Sequence, residues 1–201
     1  MADQASRPPD TDAAPITGSP LSGKPPIAYP VSIRQGRFEE KHILRGSFRD
    51  PAFPGECRSL FSVAPPEKVG QVAGNDRLSV LCLGPDEWLV VEAPGENAIT
   101  SAATRGETRR LRLIQVSDYY CGIDLAGGSA SGLLTGVVAV DLDPSAFIAG
   151  SCVQTALHHV PVTIWRQADA DRFRIYVRWS LAEFVWDLLA DLARAEDPRI
   201  G

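Results

Sequence analysis

His158 and His159 are the only adjacent histidines in the chain, and the third histidine, His42, lies far from them in the sequence. A run of strand-forming residues leads into the pair, which predicts a strand from Cys152 to His159. Successive side chains of a strand point to opposite faces, so the two rings cannot both bind one metal ion. We therefore expect one inward and one exposed histidine, and no metal bound by this chain.

A cysteine and a histidine could form a nucleophilic pair, and Cys152 lies six residues before His158. Along an extended strand this separation is about 20 Å, at ~3.3 Å per residue, so the two side chains cannot meet. The cysteines are dispersed, with no CxxC pair, at Cys57, Cys82, Cys121 and Cys152. We interpret all four as buried thiols of a protein from a reducing compartment.

Two neighbouring carboxylates, Asp86 and Glu87, are the candidate acid and base. They follow Gly84 and Pro85, which predict a tight turn. Carboxylates at such a turn more often cap it or face solvent than carry out catalysis. The glycines between residues 122 and 136 form neither the GxGxxG nor the GxxxxGK[ST] phosphate-binding motif. The sequence thus predicts no catalytic, cofactor-binding or metal-binding residue in this chain.

The composition sets limits on fold and partners. A chain of 201 residues with 44% hydrophobic residues can bury a core. Its 20 basic and 25 acidic residues argue against a nucleic-acid partner. No apolar run is long enough to cross a membrane, and the first 30 residues lack the apolar segment of a secretory signal. We expect a cytoplasmic protein.

Domain organisation follows from a shift in composition after Pro30. Residues 1–30 are rich in proline and polar residues, which predicts a disordered or extended arm. Residues 31–197 are predicted to form a single α+β domain of two halves, at about 31–116 and 117–197. Each half runs strands, turn, strand and then helix, which indicates a loose duplication of one α+β unit.

Local patterns predict the elements of both halves. In the first half the strands are Ser59–Val63, Arg77–Leu83, Leu89–Val91 and Leu111–Val116, with a weak helix at Asn97–Ala103. In the second half a strand at Cys121–Leu125 precedes a short helix at Ala130–Val138, and the strands Cys152–His159, Val162–Arg166 and Phe173–Val177 follow, the last two as a hairpin.

The last element is predicted to be an amphipathic helix. Ser180 is placed as its N-cap, with Glu183 completing a capping box. Its apolar stripe consists of Leu181, Phe184, Val185, Leu188, Leu189 and Leu192. Trp186 falls at the boundary of that stripe.

Large aromatic side chains gather near turns and helix ends, at Trp88, Tyr119, Tyr120, Trp179 and Trp186. Aromatics at such positions can belong to the core. They can equally anchor a partner, because aromatic residues are enriched among interface hot spots. Both interpretations stay open at the level of the sequence.

The motifs that carry a family resemblance are Leu83-Gly-Pro-Asp-Glu-Trp-Leu89, Val116-Ser-Asp118, Leu133-Leu134, Asp141-Leu-Asp-Pro144, Phe147, Gly150, Gln154-Thr155 and Trp186-Asp187. With them, over residues 75–195, the chain resembles the gamma subunit of heterotetrameric sarcosine oxidase. The resemblance implies antiparallel sheets with packed helices, in two ferredoxin-like halves similar to the folate-binding domain of aminomethyltransferases. It also implies a structural and assembly role without catalytic residues.

The same resemblance implies alpha, beta and delta subunits as partners. FAD, FMN, NAD, tetrahydrofolate and zinc are then expected in those subunits and not in this chain. The complex would demethylate sarcosine to glycine, with hydrogen peroxide and formaldehyde or methylenetetrahydrofolate as further products. Two alternatives remain: the same subunit in a related N-methyl amine oxidase or demethylase complex, and a stand-alone folate-binding or one-carbon transfer module. In that module Asp86, Glu87 or Asp124 would bind the pteridine ring.

Overall fold

The computed structural model describes residues 18–93, 96, 99, 110–168 and 171–195, and within them ten strands form two antiparallel sheets. The first sheet has the order β3-β4-β5-β2-β6, with β2 Lys41–Arg45, β3 Val72–Gly74, β4 Leu78–Gly84, β5 Glu87–Glu92 and β6 Arg112–Gln115. The second has the order β1-β7-β10-β9-β8, with β1 Ser32–Gln35, β7 Tyr120–Ala126, β8 Cys152–Leu157, β9 Val160–Arg166 and β10 Arg172–Arg178. The helices are α1 Phe53–Phe61, α2 Ala130–Thr135 and α3 Ala182–Ala195.

These elements stack in layers, with the two sheets face to face. The apolar contact between the sheets is made by Leu81, Leu83, Leu89 and Val91 of the first and Cys152 and Tyr176 of the second. Helix α1 covers the outer face of the first sheet, and α2 and α3 cover that of the second. The middle of the first sheet is therefore buried on both faces, which explains why β4 is apolar on both sides. The predicted α+β fold with antiparallel sheets and packed helices is confirmed.

The chain does not divide cleanly at residue 116. Strand β1 precedes every strand of the first sheet, but it pairs with β7 of the second, with Ile33 opposite Leu125. The segment after β1 must therefore cross from one sheet to the other. This pairing joins residues about 90 positions apart, so local sequence patterns carry no signal for it.

Part of the predicted N-terminal arm is folded onto the domain. Leu21 is buried in the core of the second sheet, and Ile27 pairs with Ile33 through a backbone bridge. The Lys24 ammonium lies 2.7 Å from Asp187 and 3.1 Å from Glu183 of α3. The described part of the predicted arm, residues 18–30, thus packs against the domain, and residues 1–17 lie outside the described residues.

Most of the predicted strands are confirmed, but the strand at Ser59–Val63 is wrong. Residues Phe53–Phe61 form helix α1, with Pro54 in its first turn. Proline is tolerated there because the first helical N–H groups have no partner within the helix. The predicted helix at Ala130–Val138 ends early, at Thr135. The predicted helix at Asn97–Ala103 lies outside the described residues, apart from Ile99.

The C-terminal helix starts differently from the prediction. A 3₁₀ turn at Trp179–Leu181 precedes α3, so Ser180 lies inside that turn and makes no capping hydrogen bond to any described residue. Glu183 binds Lys24 and does not complete a capping box. The buried face is also rotated relative to the predicted stripe, because Trp186 is 2% exposed and Phe184 is 51% exposed.

Candidate functional site

The segment from Gly36 to Lys41 crosses from the second sheet to the first and is held by two adjacent carboxylates. Glu39 binds the second sheet: its carboxylate pairs with Arg174 and accepts a hydrogen bond from the Tyr176 hydroxyl at 3.2 Å. Glu40 binds the first sheet, since it accepts hydrogen bonds from Ser117 Oγ at 2.6 Å and from a neighbouring amide. The crossing segment is therefore fixed at both sides.

Arg174 is the centre of a closed charge network, which we call the Arg174 cluster and define as Arg174, Asp124, Glu39 and Tyr176. The guanidinium binds both oxygens of Asp124, with Nη2 3.0 Å from Oδ2, and also binds Glu39. Burial alone would lower the pKa of Arg174, but Tyr176, Glu39 and Asp124 together raise it. Burial, with the charge of Glu39, raises the pKa of Tyr176. The cluster thus holds a permanent cation and a neutral phenol at physiological pH.

Lys41 begins strand β2 and is 2% exposed. Its Nζ donates one hydrogen bond, of 2.7 Å, to the backbone carbonyl of Glu39, and it lies 5.1 Å from the centre of the Phe38 ring. No carboxylate of the described residues forms an ion pair with it. Burial lowers the pKa of Lys41, although nearby Glu39, Cys121 and Glu40 act in the opposite direction.

Lys41 lines a cleft of about 590 Å³, which we call the Lys41 cleft. Its described walls come from residues 18–22, the crossing segment, the start of β7 and the turn before α3, and they include Gln35, Arg37, Phe38, Asp118, Tyr120, Cys121 and Trp179. Arg37 and Phe38 point outward, and Phe38 is 59% exposed. The cleft thus combines a buried ammonium, an exposed guanidinium and aromatic walls.

Three aromatics near this cleft differ from the two that belong to the core. Trp88 and Trp186 are 0% and 2% exposed. Tyr119 is 44% exposed, stacks edge-on against Tyr120 with ring centres 4.8 Å apart, and has the Arg178 guanidinium 5.4 Å from its centre. Together with half-buried Trp179, Tyr119 and Tyr120 form an aromatic patch beside the Lys41 cleft.

The adjacent histidines do not lie on a strand. Strand β8 ends at Leu157, and His158 and His159 form the turn to β9 with both side chains exposed and ring centres 4.4 Å apart. The predicted inward histidine is therefore wrong for this pair. His42 is the buried one: its Nδ1 has no hydrogen-bond partner among the described residues, and burial lowers its pKa.

The other predicted candidates serve the fold. Asp86 and Glu87 both pair with Arg45 of β2, Asp86 at 3.2 Å, so they tie the β4–β5 turn to its neighbouring strand. All four cysteines are free and buried, as predicted. Burial raises the pKa of Cys57 and of Cys152 to about 12, so neither is a thiolate at neutral pH.

Within the described ranges no group of three His, Cys, Asp or Glu side chains could hold a metal ion. No helix in the same part of the chain is long and apolar enough to span a membrane. The sequence analysis missed Lys41 and the Arg174 cluster. The one local signal was that Lys41 shares a face of β2 with Ile43, which packs between the sheets.

Comparisons with known proteins place this geometry in a family. Residues 45–196 match the model of the sarcosine oxidase gamma subunit family. A curated sarcosine oxidase subunit gamma from Arthrobacter sp. is 29% identical over 134 residues, which is 64% of this chain and 65% of that protein. The chain thus matches slightly less than two thirds of this relative's length.

Two solved structures are similar in fold. A chain of the heterotetrameric sarcosine oxidase from Corynebacterium sp. U-96, solved with pyrrole 2-carboxylate, matches with a TM-score of 0.80 and 24% identity over 89% of this chain and 95% of that one. The glycine cleavage system aminomethyltransferase T from Bartonella henselae matches with a TM-score of 0.57 and 16% identity over 78% of this chain and 44% of that one. The likeness to an aminomethyltransferase expected from the sequence is confirmed at the level of the fold.

Proposed function

The chain belongs to the sarcosine oxidase gamma subunit family, and we propose that it is the non-catalytic gamma subunit of a heterotetrameric, flavin-dependent sarcosine oxidase. Its role in that complex is structural: it assembles with the subunits that carry the reaction. The observation that carries this proposal is the family match over residues 45–196. The charge chemistry of the described residues supports it.

An active site needs titratable groups that converge on a place where a substrate can bind. Four carboxylates of the described residues that could act as acid or base are already paired with arginine side chains. Asp124 and Glu39 are occupied by Arg174, and Asp86 and Glu87 by Arg45. The buried thiols are protonated at neutral pH. These residues support a scaffold and offer no general acid, base or nucleophile for amine oxidation.

The partners follow from the proposal. We expect alpha, beta and delta subunits, with FAD, FMN, NAD, tetrahydrofolate and zinc held by them, in the cytoplasm. The donor groups of this chain do not fit a zinc site, because His158 and His159 are exposed on a turn with no third metal-binding side chain in reach among the described residues. The complex would oxidise sarcosine to glycine, giving hydrogen peroxide and formaldehyde or methylenetetrahydrofolate. A related N-methyl amine as substrate leaves the role of this chain unchanged.

A stand-alone folate-binding module is the second candidate, because Asp124 lines a cleft of about 600 Å³. A carboxylate that binds a pteridine ring must have its oxygens free to accept hydrogen bonds. Both oxygens of Asp124 are bound by Arg174. We therefore favour the assembly role, and a titration of the isolated chain with tetrahydrofolate monitored by calorimetry distinguishes the two.

The direct test is to express the chain with and without the flavoprotein subunits of a heterotetrameric sarcosine oxidase. We expect co-elution with a flavin-containing complex that produces peroxide when sarcosine is added. The chain purified alone should produce none. Sarcosine-dependent peroxide from the chain alone, or saturable folate binding without partners, would overturn the assembly role.

A further inference from the structure

Lys41 is a buried cation whose hydrogen-bonding capacity is only partly used. An ammonium group carries three donors, and the backbone carbonyl of Glu39 is its single acceptor among the described residues. Withdrawing a cation from water is costly unless an anion or several acceptors replace the water. The face of the Phe38 ring, 5.1 Å away, compensates only partly. The isolated fold therefore leaves Lys41 short of an anionic partner.

The nearby carboxylates do not supply that partner. Both oxygens of Glu39 accept hydrogen bonds, from Arg174 and Tyr176. Glu40 accepts its hydrogen bonds from Ser117 and Gln115 at Oε2 and forms no ion pair with Lys41. Asp118 is the one acidic side chain among the described residues that line the cleft, and it is exposed at the surface. A carboxylate that satisfies Lys41 must therefore come from outside these walls.

The entrance of the cleft is also cationic. Arg37 is exposed and makes no hydrogen bond or ion pair with a described residue. Among the described residues the cleft thus contains two cations, Arg37 and Lys41, and one acid, Asp118. This local excess of positive charge contrasts with the formal net charge of −5 of the whole chain. A local positive potential attracts an acidic partner surface and repels a basic one.

The rim of the cleft is aromatic and accessible. Phe38 is 59% exposed and Tyr119 is 44% exposed, and half-buried Trp179 lines both the cleft and the neighbouring cavity beside Tyr119. Exposed aromatic side chains that gather around a cation are the composition of an interface hot spot, where the surrounding rings exclude water from a charge pair. The crossing segment that carries Arg37 and Phe38 is fixed at Glu39 and Glu40, so this rim is rigid before any partner binds.

We propose that the Lys41 cleft is a docking site for a carboxylate of a partner subunit, either an Asp or Glu side chain or a C-terminal carboxylate. The carboxylate pairs with the Lys41 ammonium inside the cleft and with Arg37 at its entrance. An apolar neighbour of that carboxylate packs on Phe38 and Trp179. The inference rests on the proposed assembly role and adds to it the surface and the chemistry of the contact.

The decisive experiment measures complex formation between the chain and its co-expressed flavoprotein subunits by size-exclusion chromatography and by biolayer interferometry. We expect Lys41→Met, which keeps the length of the side chain and removes its charge, to weaken binding by at least tenfold. Phe38→Ala should weaken it by a similar factor, and Arg37→Glu should slow association most strongly at low salt. Phe184→Ala is the matched control, because Phe184 is 51% exposed on α3 and contributes nothing to the cleft.

The outcomes separate this inference from the proposed function. If the wild-type chain fails to bind the flavoprotein subunits, the proposed function is wrong. If the wild-type chain binds and Lys41→Met binds equally well, the docking site is wrong and the assembly role stands. Weakening by Phe184→Ala together with unchanged binding of Phe38→Ala would place the interface on α3 and also overturn the docking site.

Two other occupants of the Lys41 cleft, residues 1–17 of this chain and a small-molecule anion, would each give a different experimental result. Residues 1–17 include Asp3, Asp10 and Asp12 and precede Gly18, which lines the cleft. If this segment fills the cleft, deleting it from the full chain should lower the melting temperature of wild type and leave Lys41→Met unchanged, an outcome that contradicts the proposal. A small-molecule anion is the occupant if acetate or citrate shifts the melting temperature of the isolated wild type but not that of Lys41→Met, while partner binding is the same for both.

Folding of the variants is checked by circular dichroism and thermal melting of the isolated chain. Lys41→Met removes an incompletely paired buried charge, so its melting temperature should equal or exceed that of wild type. A large decrease would show that Lys41 is satisfied within the chain, and this contradicts the proposal. Arg37→Glu and Phe38→Ala change exposed side chains and give a binding result that does not depend on the buried lysine.

Discussion

Two cations lie at opposite sides of the same crossing segment, and their surroundings differ. Arg174 is bound by two carboxylates and supported by the Tyr176 hydroxyl through Glu39. Lys41 is the more deeply buried of the two and has one backbone acceptor. The charge network around Arg174 is complete within the subunit, whereas that around Lys41 needs an external anion. Arg174 therefore stabilises the fold, whereas Lys41 is available to bind a partner.

The difference arises from the register of the strands. Arg174 of β10 and Asp124 of β7 are direct cross-strand partners on the face that turns away from the helices, so their pairing is fixed once the sheet forms. Lys41 lies at the first residue of β2, opposite Val91 of β5, where the neighbouring strand offers no acid. The crossing segment thus places the Glu39 carboxylate against the Arg174 guanidinium. It places no carboxylate against the Lys41 ammonium.

The largest expected effect comes from breaking the closed network. Arg174→Met leaves the Asp124 and Glu39 carboxylates facing each other without a cation, so we expect the free energy of unfolding to fall by about 3 kcal/mol. Urea denaturation measures it. Arg194→Met is the control, because Arg194 and its partner Asp191 are exposed on α3 and such pairs contribute less than about 1 kcal/mol. Equal effects of the two substitutions would show that the Arg174 cluster does not hold the fold.

A smaller change in the same cluster should have an intermediate effect. Tyr176→Phe removes one hydrogen bond to Glu39 and leaves the ring packed between the sheets. We expect a loss of about 1 kcal/mol in the free energy of unfolding, since Arg174 still compensates the charge of Glu39. The same urea titration checks this value, and a loss as large as that of Arg174→Met would mean that the phenol stabilises the carboxylate as much as the guanidinium does.

The buried Lys41 predicts that the free energy of unfolding depends on pH. Burial lowers the pKa of Lys41 in the folded chain below its ordinary value of 10.5, so the unfolded chain binds the proton more tightly. The free energy of unfolding should therefore rise with pH between the folded pKa and 10.5, as the buried ammonium loses its charge. The free energy of unfolding of wild type and of Lys41→Met is measured across alkaline pH. The difference between them reports Lys41 alone, because the two proteins share all other titratable groups. Stability curves that run parallel would contradict it.

The exposed histidines should have the smallest effect. His158→Ala and His159→Ala change side chains on the β8–β9 turn, so we expect the melting temperature to stay within about 2 °C of wild type. Elemental analysis of the isolated chain should show no stoichiometric metal before or after either change. One zinc per chain, lost in both variants, would show that the turn binds metal and would make it a functional region in its own right.

The parts of the fold that the sequence predicted are those set by neighbouring residues. The turn at Gly84 and Pro85 and the alternation on each side of it predicted the β4–β5 hairpin, and the β9–β10 hairpin followed in the same way. Helix α1 was missed because the apolar residues of Ser59–Val63 also fit a short strand. The crossing of β1 and the pairing of Arg174 with Asp124 were missed because each joins residues far apart in the chain.

For the candidate site the sequence predicted that aromatic residues would matter, but not which of them lie in the core and which at the surface. Aromatics were expected either in the core or at an interface, and the fold assigns Trp88 and Trp186 to the core and leaves Tyr119 exposed. The face that Lys41 shares with Ile43 is a weak sign of burial for a lysine at the start of a strand. Its burial depends on the crossing segment, whose path is fixed only when both sheets are present.

Native mass spectrometry of the chain co-expressed with the flavoprotein subunits tests most directly whether Lys41 is needed for assembly. We predict a single heteromeric complex that contains one copy of this chain when the chain is wild type. With Lys41→Met we expect mostly free subunits when each subunit is present near the dissociation constant of the wild-type complex, although the isolated variant is folded. A complex of unchanged composition and abundance with Lys41→Met would contradict the central claim that the open cation serves assembly.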